Sequence, residues 1–365
     1  MRKIVLSVLG LIVLILVIYR LTLFFQSETP HFYRGDDSRL RYVGRFDFSE
    51  GNTPKSWAPG SYMECELYGK EAELFLNDEQ RFGFLHNYIE IVIDHKYTKR
   101  IQLSEKVNII SLFKFSKPGK HHVLICKNTE SSIGFIEFLG IKCAKLLPLK
   151  TKKKRLIEFI GDSITCGNGS DSSSITFGKG SWYDYHNAYL SYGARLARKN
   201  DADWILSAVS GIGMQHSCCG MFFTMPDVYT KINFHVKSKS WSFDKAPIPD
   251  IVFITLGQND SAKQMEEYEK AYLSFLQKLR KVYPKSWIIC CTSPMAKPEY
   301  KEKLKNSIQK VLQLRRKAGD QRLLFFNYQN TYNAGYDQHP TISQHEEMMW
   351  EAQRFLDSKW TLLNH

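Results

Sequence analysis

The sequence predicts an α/β domain, with a parallel sheet covered by helices on both faces, preceded by a β-sandwich domain and an N-terminal membrane segment. The length of 365 residues exceeds that of a typical single domain. Short strand-like runs without helical periodicity fill 33–147, and from 156 to 362 apolar strands alternate with amphipathic helices. These patterns divide the folded part at a basic linker, 148–155.

An apolar run covers residues 4–19, directly behind Met1, Arg2 and Lys3. It is longer than the core of a typical signal peptide, and no small-x-small cleavage site follows it. The pattern predicts that 1–28 form an uncleaved signal anchor, with the rest of the chain on the extracytoplasmic side, periplasmic or at the cell surface. A cleaved signal peptide and secretion are the alternative.

Charge and cysteine usage argue against two classes of function, nucleic-acid binding and metal binding. The net charge of +13 comes from scattered basic residues, and the one dense run, 152–155, suits a solvated linker, so no nucleic-acid partner is expected. The eight cysteines form no C-x-x-C pair, which argues against a metal site. Their pairing stays open, although Cys290 and Cys291 lie in an apolar run that suits buried thiols.

The first domain is predicted to be a β-sandwich because its apolar runs are short and separated by turn residues. Pro118-Gly119 is predicted to be a turn. The candidate strands are 71–76, 88–93, 122–126 and 134–139.

In the second domain, strands and helices alternate as expected for a parallel sheet. Strands are predicted at 156–160, 204–209, 251–256, 287–292 and 323–327. Helices are predicted at 186–199, 263–282, 299–317 and 342–357. Because sites in such sheets form at the carboxyl ends of the strands, four strand-end loops are of interest.

The first and fourth of these loops carry a candidate nucleophile and its base. Ser163 follows the strand 156–160 at a tight turn, where helical N–H groups would favour developing negative charge. An N-cap serine is the structural alternative. Among 11 histidines, only His339 combines a strand-end loop, a nearby Asp337 and a following Pro340. A neutral imidazole there is suited to take the proton of Ser163.

The second and third loops carry candidate oxyanion donors. Gly211 and Gly213 let backbone N–H groups approach a ligand closely. The Asn259 side chain is placed to donate a hydrogen bond to an oxyanion. Asp260 either belongs to the same oxyanion or substrate loop or caps the local backbone, and capping is the preferred interpretation.

The order of these four loops resembles that of the SGNH (GDSL-type) hydrolases, whose blocks match 161–163, a glycine in 211–213, 257–260 and 337–340. The resemblance implies a three-layer α/β/α fold, a Ser163–His339 pair and an oxyanion hole. The donors would be the N–H groups of Ser163 and Gly211, with Gly213 as the second choice, and the Asn259 side chain. No metal or organic cofactor is implied.

Residues 33–360 together are similar to carbohydrate esterase family 2, in which a jelly-roll domain precedes the hydrolase domain. The stretches 42–48, 57–61 and 126–130 carry the N-terminal part of this resemblance. The family implies deacetylation of plant polysaccharides such as xylan and glucomannan.

Two residues depart from the usual patterns. Many SGNH enzymes have Asp three residues before the histidine, where this chain has Tyr336. The orientation of His339 is therefore assigned either to Asp337 or to a backbone carbonyl. Gln338 stands where an aromatic residue is common in carbohydrate esterase family 2, which removes one surface for sugar stacking.

The predicted function is that of a serine esterase that removes O-acetyl groups from an acetylated polysaccharide or oligosaccharide. Trp182, Tyr183, Trp241 and Tyr336 lie near the site loops and either contact sugar rings or pack in the interior. One alternative is a lipid esterase or acyltransferase acting on envelope glycans, in line with the membrane segment. The other is a non-catalytic glycan-binding protein.

Overall fold

The computed structural model describes residues 12, 14, 15, 29–149 and 153–363. The predicted signal segment 1–28 lies outside the described residues except at three positions. Within the described part of the chain, none of the helices has the length and apolar character needed to cross a membrane.

The first domain is an antiparallel sheet of eight strands. They are β1 (His31–Arg34), β2 (Arg41–Val43), β3 (Lys55–Ser56), β4 (Tyr62–Asp78), β5 (Tyr88–Ile93), β6 (Lys96–Gln102), β7 (Val107–Lys127) and β8 (Ile136–Leu147). The order is β1-β8-β4-β7-β5-β6, with β2 on β4 and β3 on β8. Register shifts interrupt the pairing of β4 with β7 and β8, as β-bulges do in sheets that bend.

Strand alternation gives this domain two buried faces. Ile89, Ile91 and Ile93 of β5 belong to the core of the first domain. Val92, which points the opposite way, belongs instead to the core of the second domain. The sheet therefore packs against the second domain on the face opposite its own core.

The predicted turn at Pro118-Gly119 is wrong, because both residues lie inside β7. Gly119 pairs with Gly69 of β4, and the register then shifts so that Glu71 pairs with Lys114. A proline has no N–H group to give to a ladder and is accommodated where the ladder is interrupted. The Pro-Gly pair therefore marks a bulge within a 21-residue strand.

The second domain contains the predicted parallel sheet. Its strands are β9 (Arg155–Gly161), β10 (Ala202–Ala208), β11 (Ile251–Thr255), β12 (Trp287–Cys291) and β13 (Leu323–Phe326). The order is β10-β9-β11-β12-β13, and every neighbouring pair is parallel. The prediction of an α/β domain with a parallel sheet, preceded by an antiparallel β domain, is confirmed.

Seven α-helices of the second domain are described. They are α1 (Ser163–Cys166), α2 (Tyr192–Lys199), α3 (Met225–Val228), α4 (Met265–Val282), α5 (Pro298–Lys317), α6 (Ile342–Ser358) and α7 (Trp360–Leu363). Short 3₁₀ turns are formed by Ser131–Ile133, Trp182–Tyr185, Phe243–Lys245 and Tyr336–Gln338.

The predicted start of a helix at residue 186 is wrong, since α2 begins at Tyr192. The residues before it bond across the domain junction instead: Ala188 N–H donates to the Asn128 carbonyl at 3.2 Å. The Tyr189 N–H donates to the Asn128 side chain at 3.1 Å. These two contacts hold residues 188 and 189 against the β domain before α2 begins.

The two domains share one apolar core. Val92, Leu124 and Cys126 of the β domain are buried in the same cluster as the sheet residue Phe159. Nearby, the Tyr62 ring stacks on Trp204 with centroids 4.2 Å apart. This contact fixes the β domain against β10 and brings the end of β7 towards the carboxyl edge of the parallel sheet.

Candidate active site

Ser163 is the first residue of α1, directly after β9. The Asp162 side chain accepts a hydrogen bond from Ile164 N–H at 3.0 Å and caps this short helix. Burial raises the pKa of Asp162 to about 7. Because Asp162 provides the cap, the Ser163 hydroxyl is not needed as one.

Ser163 and His339 are in hydrogen-bond contact. The distance from Ser163 Oγ to His339 Nε2 is 2.9 Å, although 175 residues of chain separate them. Burial lowers the pKa of His339 from its usual 6.5, and the adjacent Asp337 carbonyl partly opposes this effect. A neutral imidazole next to a hydroxyl at neutral pH is the arrangement that general-base activation requires.

A backbone carbonyl orients His339. The Asp337 carbonyl oxygen accepts from His339 Nδ1 at 3.0 Å, while the Asp337 side chain is exposed. Asp337 has φ 50° and Gln338 has φ 58°. This left-handed turn directs the carbonyl, rather than the carboxylate, towards the imidazole. Of the two options that the sequence left open, the geometry favours the carbonyl.

Gly169 allows the His339 loop to approach α1. Its φ is +67°, and a Cβ at this position would lie 2.4 Å from the Tyr336 carbonyl and 2.8 Å from His339 Cβ. The Gly169 carbonyl accepts from Tyr336 N–H at 2.9 Å. Sequence reasoning missed this residue, although a glycine shortly after the nucleophile loop is a signal of close backbone approach.

Three hydrogen-bond donors come from residues that line one cavity with the Ser163–His339 pair. Within the described residues, the N–H groups of Ser163 and Gly211 have no hydrogen-bond acceptor. Asn259 Nδ2 donates one proton to the Ile212 carbonyl at 2.9 Å, which orients the amide and leaves its second proton available. Together these groups are able to stabilise negative charge on a bound carbonyl oxygen.

Gly213 and Asp260 form hydrogen bonds with other groups of the protein instead. Gly213 N–H donates to Ser217 Oγ at 3.1 Å, so it is not free for an oxyanion. The Asp260 carboxylate accepts three backbone N–H groups, those of residues 214–216, at 2.7–2.9 Å. Burial nevertheless raises the pKa of Asp260. The geometry matches capping, the preferred interpretation of Asp260, and leaves Gly211 as the better glycine donor.

A cavity of about 590 Å³ lies over these groups. The residues predicted for the site that line it are Ser163, Trp182, Gly211, Asn259, Tyr336, Asp337 and His339. Its size is within the range of small-ligand sites. Trp182 is 39% exposed, so this residue is accessible at the cavity.

Two of the predicted aromatic contacts lie elsewhere. Trp241 does not line the cavity. The centroid of its ring lies 5.8 Å from the guanidinium carbon of the buried Arg45. Tyr183 is buried in a small cluster with Tyr88 and Ile133. Both have the packing role that was the alternative to sugar contact.

The cavity wall also contains residues that sequence reasoning missed. Glu130 and Ser132 come from the β domain. The adjacent Cys218 and Cys219, which also line the cavity, form a disulfide. The six remaining cysteines, among them Cys290 and Cys291, are buried and free. No group of three or more His, Cys, Asp or Glu residues in the described part of the chain is arranged to hold a metal ion.

Serine hydrolases are the class defined by such a site: a serine hydrogen-bonded to an imidazole at the carboxyl edge of a parallel sheet, with N–H groups nearby that are available to an oxyanion. Residues 159–345 match the model of the GDSL-like lipase/acylhydrolase family. This match covers more than half of the chain, which therefore belongs to that family. Residues 42–149 match the carbohydrate esterase 2 N-terminal model, so the predicted resemblance is confirmed in both domains.

Individual relatives agree with this assignment. The chain is 30% identical over 331 residues to the cellulase/esterase CelE of Acetivibrio thermocellus, covering 88% of this chain but only 39% of that protein. It is 23% identical to an acetylxylan esterase / glucomannan deacetylase of Cellvibrio japonicus, and the match covers 89% of this chain and 90% of that protein. The structure of a family two carbohydrate esterase from Clostridium thermocellum in complex with cellohexaose superposes with a TM-score of 0.80. The sequence identity is 28%, and the superposition covers 88% of this chain and 99% of that one.

Proposed function

We propose that this protein is a serine esterase that removes O-acetyl groups from a polysaccharide through an acyl-enzyme intermediate. The observation that supports it most directly is the 2.9 Å contact between Ser163 Oγ and His339 Nε2 beside the three oxyanion donors. The relatives named as acetylxylan esterase / glucomannan deacetylase support an acetylated polysaccharide as the substrate class.

In the proposed mechanism, Ser163 Oγ attacks the acetyl carbonyl carbon while His339 takes its proton. The N–H groups of Ser163 and Gly211 and the Asn259 amide stabilise the resulting oxyanion. The intermediate collapses, the C–O bond to the sugar breaks, and His339 returns the proton to the sugar oxygen. His339 then takes a proton from water as the water attacks the acyl-enzyme, which releases acetate and restores Ser163.

Trp182 and Tyr336 are the aromatic rings of this site that are able to contact sugar. Both line the cavity, and the Tyr336 ring is supported by Tyr185 with centroids 4.4 Å apart. Trp182 contacts His186 edge-on at 4.8 Å. A ring held from behind presents a flat apolar face to a pyranose at low entropic cost.

Replacement of Ser163 with Ala tests the proposal. Acetate release from acetylated xylan, acetylated glucomannan and a small aryl acetate should fall by about 10³-fold or more, since the nucleophile is lost. Ser274→Ala, on the exposed face of α4, is the matched control and should leave the rate unchanged. Near-wild-type turnover by Ser163→Ala would contradict the proposal. Binding of xylan without ester cleavage by the wild type would favour the glycan-binding alternative.

We also infer an extracytoplasmic location and, as finer predictions, a membrane anchor formed by residues 1–28 and a jelly-roll closure of the antiparallel sheet. The support for export is the apolar run 4–19 behind three residues that include two basic side chains. Cell fractionation followed by N-terminal sequencing distinguishes an anchored protein from a cleaved one. Recovery in the cytoplasmic fraction would exclude export.

A further inference from the structure

The β domain contributes a buried carboxylate to the wall of the active-site cavity. Glu130 is 1% exposed and lies shortly after the end of β7. Glu130 Oε2 accepts from Ser210 N–H at 2.6 Å, and Ser132 Oγ donates to Glu130 Oε1. Ser210 immediately precedes Gly211, whose N–H group is a proposed oxyanion donor. The carboxylate is therefore bonded to the neighbouring peptide of that loop.

The segment that carries Glu130 is fixed on both sides. The Lys127 ammonium is fully buried and donates to the carbonyls of Thr129 at 2.6 Å and Glu130 at 3.1 Å. Burial lowers the pKa of Lys127 to about 7. Asn128 bonds across the junction through its carbonyl and its side chain to the backbone N–H groups of Ala188 and Tyr189. A carboxylate on such a support has little freedom to move.

The Gly211 loop is otherwise held by hydrogen bonds of its own domain: the Ile212 N–H donates to the Val209 carbonyl at 3.3 Å, and Asn259 Nδ2 donates to the Ile212 carbonyl at 2.9 Å. Gly211 has φ +80°, and its carbonyl accepts from Cys218 N–H at 2.8 Å. The Ser210 hydroxyl has no hydrogen-bond partner among the described residues. Glu130 thus adds a side-chain restraint from the β domain to the Val209–Ser210 peptide, directly before the peptide that carries the Gly211 N–H.

We propose that Glu130 is a positioning residue, supplied by the β domain, which holds the Ser210–Gly211 loop so that the Gly211 N–H is directed at the oxyanion. This inference rests on the proposed function. A hydrogen bond to a charged acceptor is stronger than one between neutral groups, so a carboxylate suits the task. Preorganised donors stabilise an oxyanion only if they do not move when charge develops.

The test compares Glu130→Ala with Glu130→Gln on a small aryl acetate. The alanine variant should lose about 30-fold in kcat, with KM changed less than about 3-fold. This loss is smaller than the roughly 10²–10³-fold found in other hydrolases when a donor is removed completely. The glutamine variant keeps an acceptor oxygen for Ser210 N–H and should recover at least 5-fold of that loss. Asp203→Asn, which alters a junction carboxylate at the opposite end of the sheet, should leave kcat unchanged.

A second measurement does not depend on acetyl esters being substrates. The rate at which a fluorophosphonate labels Ser163, followed by intact mass, also depends on the oxyanion donors. It should fall at least 10-fold in Glu130→Ala and be rescued by Glu130→Gln. Wild-type labelling without ester cleavage would reject the proposed function alone. Equal labelling of wild type and Glu130→Ala, or no recovery of the labelling rate in Glu130→Gln, would overturn the positioning role.

Discussion

The two ends of the domain junction use charged side chains in different ways. At the amino-terminal end of β10, Arg41 of the β domain pairs with Asp203 and with Glu64, far from the catalytic loops. At the carboxyl end, Glu130 bonds to a single peptide N–H beside Gly211. The comparison teaches that one interface has a docking end, where charges pair with charges, and a catalytic end, where a carboxylate restrains backbone.

Among the variants that leave the Ser163–His339 pair intact, Asn259→Ala should have the largest effect on rate. It removes a side-chain donor, so kcat should fall about 10²–10³-fold, while the free energy of unfolding changes by less than about 1 kcal/mol. Steady-state kinetics and thermal unfolding measure the two quantities. Asn333→Ala, at an exposed position, is the matched control. An unchanged kcat in Asn259→Ala would remove this residue from the oxyanion hole.

At the docking end, Asp203→Asn should affect stability without affecting rate. Asp203 also accepts from Tyr62 OH at 2.6 Å and is only 8% exposed as a side chain. Loss of its charge leaves Arg41 partly unpaired, so the free energy of unfolding should fall by about 1–3 kcal/mol. Chemical denaturation gives the stability and aryl acetate hydrolysis gives kcat. A lower kcat in the folded variant would contradict the prediction that Asp203 affects stability and not rate.

Glu90 lies between the two ends and makes stability depend on pH. It is fully buried and accepts from Asn128 Nδ2 at 3.1 Å, and burial raises its pKa to about 7 from the usual 4.5. The native state therefore binds more protons than the unfolded state between these values, so this contribution to stability falls as pH rises from 4.5 through 7. Glu90→Gln should flatten that fall by about 1–2 kcal/mol between pH 5 and pH 8. Denaturation curves at both pH values measure it, and parallel losses in wild type and variant would contradict it.

Asp337→Asn should have the smallest effect. The Asp337 carbonyl, which the substitution keeps, orients His339, so kcat should stay within about 3-fold of wild type. The acid limb of kcat/KM should remain below pH 6.5 in both proteins, because activity is lost as His339 becomes protonated and burial lowers its pKa. A 50-fold loss would show that the carboxylate itself is needed, as in a triad.

The catalytic end was largely predictable from the sequence. Ser163, Asn259 and His339 each follow an apolar strand, and parallel strands bring their carboxyl ends together. The sequence left open whether Asp337 or a backbone carbonyl orients His339, because the choice depends on the positive φ of Asp337. The position of Trp241 beside Arg45, outside the cavity lining, was not predictable, because proximity of a loop in sequence does not decide which way its ring packs.

The contribution of the β domain was the least predictable part. Glu130 lies in a stretch that supported the family resemblance, but nothing local in the sequence signals a contact with Ser210, 80 residues further on. Likewise, the Pro-Gly pair in β7 has the composition of a turn, and only its pairing with β4 shows that it is a bulge. Both the contact of Glu130 and the conformation of the Pro-Gly pair depend on contacts with residues that are distant in sequence.

The shared apolar core has a consequence for how the molecule is divided. Since Val92, Leu124 and Cys126 are buried in the same cluster as Phe159 and Trp204, a cut at the linker near residue 150 would expose apolar surface on both fragments. The two sheets should therefore melt in one calorimetric transition. Family models draw a boundary between residues 149 and 159, but the chain should behave as one cooperative unit.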